Sequence, residues 1–195
     1  AALFQKYFLN GANIWFWGIL AEDKPKEKEF LISKDDNLEA GGRIQFPLSR
    51  GETAFSFHFR KAIMPYEPDT AVILPKDRNE SNEYKFGFDT RLDFEFGLWA
   101  EYALSYYEKN DFVENTLQSF GTLGIDYTFA WGNGLYALSE FSLIDSDWDI
   151  EGIQDFSRSL TSLMLDYPLN LLDRIIILNH YDWKDKLPLQ TILFR

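Results

Sequence analysis

The stretch EYKFGFDTRLDFEFGLWAEYALSYYE, residues 83–108, alternates apolar and polar side chains with almost no interruption. Its even positions, from Tyr84 through Tyr106, are apolar or amphipathic, whereas its odd positions hold nearly all the charges. A period of two is the period of a β-strand, so one face would carry the hydrophobic side chains and the other the charges. One strand of this length would reach roughly 75 Å at about 3.3 Å per residue. The stretch is therefore predicted to be a hairpin, with strands at 84–92 and 95–107 joined at LDFE.

The same alternation recurs along the whole chain and predicts eleven strands. Most of them are longer than the roughly 5 to 6 residues typical of soluble proteins, and they match the about 9 to 11 residues of membrane-crossing strands. The predicted strands are 2–9, 12–21, 40–49, 53–62, 84–92, 95–107, 117–129, 135–144, 158–168, 174–183 and 187–195.

Short and long connections alternate between these strands. In an up-and-down meander, alternate connections lie at opposite ends, so this order places the long loops together at one rim. The long loops hold 20 acidic and 7 basic residues in a chain of net charge −12, so the acidity belongs to that rim. The short links are 10–11, 50–52, 92–95, 131–134 and 170–173, and the long ones are 22–39, 63–83, 108–116 and 145–157.

Composition narrows the function classes. Aromatic residues make up 17% of the chain, which is typical of amphipathic rings gathered at membrane interfaces. The chain has no cysteine, so it has neither a disulfide framework nor a thiolate metal site. The longest apolar run, IWFWGILA at 14–21, is too short for a membrane-spanning helix. The negative net charge argues against a nucleic-acid partner.

Three segments repeat the design of two amphipathic strands closed by a short turn. They are FGFDTRLDFEFGLWAEYALSYY at 86–107, GTLGIDYTFAWGNGLYALSEFSLI at 121–144 and LMLDYPLNLLDRIIILNHYDW at 163–183. In this respect the chain resembles the porin-like β-barrels of the bacterial outer membrane. The resemblance covers essentially the whole chain and is architectural. It implies an all-β, antiparallel, up-and-down transmembrane barrel located in the bacterial outer membrane.

Two features depart from that class. Its barrels generally have an even number of strands and end in a terminal aromatic residue, whereas here eleven strands are predicted and Phe194 is followed by Arg195. The sequence is therefore interpreted as a single barrel domain, 1–195, of about twelve strands that lacks at least one C-terminal strand. The alternative is that the strand LFQKYFLN was miscounted.

In such a barrel the apolar parity faces lipid and the polar parity faces the lumen. Applied to each strand, this rule gives five basic against six acidic luminal residues. The balance favours mutual pairing across a narrow lumen over a selective ladder of charges, although a permeation path for small polar solutes is also consistent with it. The predicted lumen-lining residues are Arg43, His58, Arg60, Asp89, Arg91, Glu101, Asp126, Glu140, Asp166 and Arg174, together with Lys85, His180 and Asp182.

The candidate catalytic and metal-ligating residues complete no known motif. Some outer-membrane barrels carry a Ser/His hydrolase site, but His58 and His180 both have luminal parity, and neither has a Ser and an acid at triad spacing. The sequence therefore predicts no enzyme and no cofactor. A loop with alternate acidic residues resembles a calcium loop but lacks the Gly and Glu that an EF-hand requires, so it is interpreted as solvated. Its acidic residues are Asp145, Asp147, Asp149 and Glu151.

The function expected from the sequence is a porin-like passive channel for small solutes or a structural barrel with a charge-paired interior. Alternatives are a barrel whose loops at 22–39 and 63–83 bind or adhere, an outer-membrane hydrolase, and a soluble β-sandwich. The partners implied by the resemblance are outer-membrane lipid, lipopolysaccharide and the outer-membrane assembly machinery.

Overall fold

The computed structural model describes residues 1–20, 32–34, 36–63, 80–108, 116–147 and 156–194. Within these ranges the chain forms strands, bends and turns and contains no helix. Accordingly, no helix of the described residues is long and apolar enough to cross a membrane.

Twelve strands are present in the described ranges. They are β1 (Ala2–Tyr7), β2 (Asn13–Leu20), β3 (Ile32–Ser33), β4 (Leu38–Leu48), β5 (Gly51–Ile63), β6 (Glu80–Asp93), β7 (Gly97–Tyr107), β8 (Thr116–Phe129), β9 (Leu135–Asp147), β10 (Phe156–Pro168), β11 (Arg174–Asp182) and β12 (Leu187–Phe194).

These strands form one antiparallel sheet with up-and-down topology. Its path runs β1-β2-β4-β5-β6-β7-β8-β9-β10-β11-β12, and β3 pairs with β5 beyond the end of β4. The eleven strands of this path correspond one to one with the eleven predicted strands. The prediction of an all-β, antiparallel, up-and-down fold is therefore confirmed.

Several strands are longer than predicted at the rim of the long connections. β6 begins at Glu80 because β5 provides backbone partners up to Ile63, and β9 continues to Asp147 because β8 pairs with it there. Backbone pairing does not require alternation of side chains, so these polar ends carried no periodic signal. The short strand β3 was missed for the same reason.

The turns of the opposite rim lie close to their predicted positions. The predicted LDFE turn is displaced to Phe94–Phe96, because Leu92 and Asp93 still pair with β7. At the β4–β5 turn, Gly51 has a φ of 148°, and a Cβ there would meet the Arg91 carbonyl oxygen at 1.8 Å. This close approach of β6 to β5 requires glycine.

The two faces of the sheet have opposite chemistry. We call the face that carries Asp89 the polar face and the face that carries Phe88 the apolar face. Glu83, Arg60 and Glu39 have exposed fractions of 0%, 2% and 1%, whereas Phe86 on the apolar face is 53% exposed. Among the described residues the buried hydrophobic side chains are few and mostly small, namely Ala12, Ala54, Ala62, Ile63 and Tyr107.

Candidate functional site: the polar face

The strand register brings all ten predicted lumen residues onto one face. Directly opposite residues of antiparallel neighbours point to the same side of a sheet. Asp89 lies opposite Glu101, which lies opposite Thr122, so these three residues share a face. Following such cross-strand partners from ladder to ladder assigns the face of every other strand residue. The residues that it places on the polar face are Arg43, His58, Arg60, Asp89, Arg91, Glu101, Asp126, Glu140, Asp166 and Arg174.

A bidentate ion pair joins β4 to β6 across the middle of this face. Arg43 Nη1 donates to Asp89 Oδ2 at 2.6 Å, and Nη2 donates to Oδ1 at 2.9 Å. The two residues reach each other over β5, where Ser56 lies opposite Arg43 and Ala54 lies opposite Asp89. Small side chains on β5 therefore leave room for the guanidinium, and the fork geometry holds it in one orientation.

A buried charge cluster lies nearer the rim of the long connections. Arg60 and Glu83 are direct cross-strand partners, and the Arg60 guanidinium hydrogen-bonds to the Glu83 carboxylate. Arg60 Nη1 also donates to Ser33 Oγ at 3.2 Å, which ties β3 to the cluster. Lys85 Nζ lies 3.3 Å from Glu83 Oε1. These several partners offset the desolvation of two charges that are almost completely removed from solvent.

His58 lies between a tryptophan and a carboxylate. Trp17 Nε1 donates to His58 Nδ1 at 3.0 Å, and His58 Nε2 lies 3.4 Å from Glu39 Oε2. Because Nδ1 accepts from the indole, the imidazole hydrogen is on Nε2 and faces Glu39. The indole covers its cross-strand neighbour Gly41, where a Cβ would meet the ring at 2.4 Å.

Ion pairs neutralise every basic side chain of the polar face within the described strands. The remaining pairs are Arg91 with Asp93 at 3.1 Å and Asp126 at 4.0 Å, Arg158 with Asp182 at 2.7 Å and Asp185 at 2.6 Å, and Arg174 with Asp166 at 3.2 Å.

Sequence reasoning missed several charges of this face. The described strands place six basic and ten acidic residues on it, where five and six were expected. Most of the charged residues that were missed lie just beyond the end of a predicted strand. Each is an even number of positions from a predicted luminal residue, so extending the alternation past the strand end would have found them. The added residues are Glu39, Glu52, Glu83, Asp93 and Arg158.

Three acidic residues of the polar face have no cationic partner in the described part of the chain. Glu52 accepts a hydrogen bond from Gln45 Nε2, and none of Glu52, Glu101 and Glu140 forms an ion pair there. Glu101 is exposed and stands directly opposite Asp89 on β6. The uncompensated charge of this face is therefore negative.

The structure brings one Ser/His pair together. Ser162 Oγ and His180 Nδ1 are 2.8 Å apart across β10 and β11. Glu140 lies opposite Ser162 on the other side, and no described carboxylate hydrogen-bonds to His180. The backbone N–H groups of a central strand are used in its ladders, so they cannot form an oxyanion hole. The described residues thus do not assemble a catalytic triad.

The candidate calcium loop is partly a strand. Asp145 and Asp147 were expected in a connection beginning at 145, but both belong to β9, because β8 pairs with them. Asp145 lies on the apolar face, while Asp149 and Glu151 fall outside the described residues. No group of three potential ligands among the described residues could hold a metal ion.

Comparisons of the chain with protein-family models, with curated proteins and with solved structures found no match in any of the three. The fold and the site therefore define only a structural class of protein. It is an all-β meander with one charged face and one apolar face.

Proposed function

We propose that this chain forms the wall of a β-barrel of the bacterial outer membrane, with its apolar face against lipid and its polar face lining an aqueous interior. The observation that carries the proposal is the inverted exposure of the two faces. On the apolar face Phe57 and Leu123 are 46% and 54% exposed, whereas Arg60 on the polar face is 2% exposed. Apolar-out, polar-in alternation is the pattern of membrane barrels.

The exposed apolar surface is too extensive for a monomer in water. Large hydrophobic side chains are exposed on every strand from β4 to β10, and many of them are aromatic. Soluble monomers rarely expose contiguous apolar patches above about 300–600 Å². Removing such surface from water contributes about 25 cal/mol per Å², so a lipid environment is favoured.

Strand length is consistent with a membrane crossing. The central strands β4 to β10 contain 11 to 14 residues. At about 3.3 Å per residue and a tilt of about 45°, such strands rise roughly 26–33 Å along the membrane normal. This matches the about 25 Å apolar band of outer-membrane barrels.

We further propose that the barrel is a passive channel for small polar solutes. The paired charges of the polar face keep that wall polar at little electrostatic cost, so water and solutes are favoured beside it. Outer-membrane lipid, lipopolysaccharide and the assembly machinery are the partners that this location entails. The competing possibility is a structural barrel whose interior is filled.

Two measurements on one sample test the proposal. The protein should require detergent for extraction and show heat-modifiable gel mobility, and the folded form should produce conductance steps in planar bilayers. The same sample unfolded by boiling serves as the control. A folded protein that remains monodisperse without detergent contradicts the membrane location, and a folded, detergent-dependent protein with a flat current trace contradicts the channel.

A further inference from the structure

The charges of the polar face are neutralised unequally. All six basic side chains of its described strands have an acidic neighbour within 4.0 Å. Arg43, Arg91 and Arg174 between them form ion pairs with four acidic residues. Glu52, Glu101 and Glu140 have no described cationic partner. Among the described residues of this face, a mobile anion therefore meets no uncompensated positive charge, whereas a mobile cation meets three uncompensated carboxylates.

From this inequality we propose that the channel prefers small cations over small anions and that Glu101 is a main determinant of the preference. The inference rests on the proposed channel function. It concerns the sign of the permeating solute, which the balance of five basic and six acidic residues expected from sequence did not indicate.

The surroundings of Glu101 make its carboxylate available to solutes. Glu101 is exposed and borders a hollow of about 390 Å³ that is also lined by Arg43, Asp89, Gly87 and Ala103. Gly87 and Ala103 are direct cross-strand partners with little side-chain volume, so they open the hollow beside the carboxylate. A hydrated cation can therefore approach Glu101 closely.

The neighbouring ion pair leaves this site with one negative charge. Asp89 stands directly opposite Glu101, and two bare carboxylates in this position would repel each other. The bidentate contact of Arg43 cancels the charge of Asp89 and engages both of its oxygens. Glu101 consequently has no described protein counterion, and a solute cation is the counterion that it attracts.

The test is the reversal potential of single channels in a KCl gradient, which reports the ratio of K⁺ to Cl⁻ permeability. The wild-type protein should favour K⁺. Glu101→Gln should lower the ratio severalfold, because a unit charge about 4 Å away in water raises the local K⁺ concentration by a Boltzmann factor of about five and lowers that of Cl⁻ by the same factor. Glu101→Asp keeps the charge and should keep most of the preference. All variants are first matched for heat-modifiable mobility, which shows that they are folded.

Two further variants fix the direction of the effect. Arg43→Gln releases Asp89 and should raise the K⁺ preference above the wild-type value. Asp145→Asn removes a carboxylate from the apolar face and should leave the ratio unchanged. The preference should also weaken at 1 M salt, where the screening length is about 3 Å.

The outcomes separate this inference from the channel proposal. If folded wild-type protein gives no conductance, the channel itself is wrong. If it conducts but favours Cl⁻, or if Glu101→Gln and Glu101→Asp have the same ratio as the wild type, the channel stands and the cation preference set by Glu101 is overturned.

Discussion

Breaking the buried Arg60–Glu83 pair should be among the most destabilising changes that the polar face allows. The two side chains are 2% and 0% exposed and are direct cross-strand partners. Arg60→Met would leave the Glu83 carboxylate buried, with Lys85 Nζ at 3.3 Å as its remaining ion-pair contact in the described cluster. Removing one partner of a buried pair costs about 3–5 kcal/mol. Because Lys85 still compensates Glu83, we expect about 3 kcal/mol for Arg60→Met.

The reciprocal and double variants follow from the same geometry. Glu83→Leu removes the cross-strand carboxylate of Arg60 and leaves the contact with Ser33 Oγ, so its cost should also fall within that range. The double variant, Arg60→Met with Glu83→Leu, buries no orphaned charge from this pair. It should unfold much closer to the wild type than the sum of the two single changes, with a coupling of several kcal/mol.

Equilibrium unfolding by urea in lipid vesicles, followed by the fluorescence of the six tryptophans, measures these differences. Arg91→Met is the control, because Arg91 and its partner Asp93 are 55% and 60% exposed, and its midpoint should stay near the wild-type value. If Arg60→Met shifts stability by less than about 1 kcal/mol and the two changes are additive, the cluster is not buried in the folded protein and the reasoning is refuted.

Two further predictions concern packing and the faces of the sheet. A Cβ at Gly124 would meet the Trp99 indole at 2.0 Å, so Gly124→Ala should destabilise the fold by about 1–3 kcal/mol in the same urea assay. Gly121→Ala, whose Cβ would meet its nearest atom at 3.5 Å, is the matched control on the same strand and should be much milder. On β9, Leu143→Arg places a charge on the apolar face, where Leu143 is 44% exposed, and should cost about 2–4 kcal/mol of folding free energy in vesicles. Ser142→Arg places it on the polar face and should cost less, and equal costs would contradict the assignment of faces.

Alternation along the chain was enough to predict the path of the sheet. The eleven strands, their antiparallel order and the parity of the ten predicted luminal residues all depend on a period of two, which most of the strands show locally. Where alternation fails, the prediction stopped short. The predicted strand ended at Ile144, because no apolar residue alternates with Asp145 and Asp147. In the structure β8 nevertheless continues to pair with these residues.

The interactions of the polar face could not be predicted, because they join residues that are distant in sequence. Glu83 stood outside its predicted strand and was counted with an acidic loop, but Arg60 of the preceding strand neutralises it. Glu39 was likewise counted with an acidic loop, but in the structure it faces His58. Their partners depend on register, which parity alone does not determine.

The last strands show where parity itself is weak. Ile176 and Leu178 of β11 lie on the polar face, and Ile175 and Ile177 lie on the apolar face, so both sides of this strand are hydrophobic. No periodic signal distinguishes the faces there. The ladder with β10 assigns them, through the pairing of Met164 with Leu178.

The most direct test of the central claim is site-specific labelling along β6. Because the chain has no cysteine, a single introduced cysteine is the only residue that a thiol-reactive label modifies. Single cysteines replace Phe86 and Phe88 on the apolar face and Lys85 and Asp89 on the polar face. Each is labelled with a fluorophore, and the protein is folded into vesicles with and without brominated acyl chains. The account predicts strong quenching at 86 and 88 and weak quenching at 85 and 89. Equal quenching at all four positions, or none at any of them, would contradict a barrel wall that faces lipid on one side and water on the other.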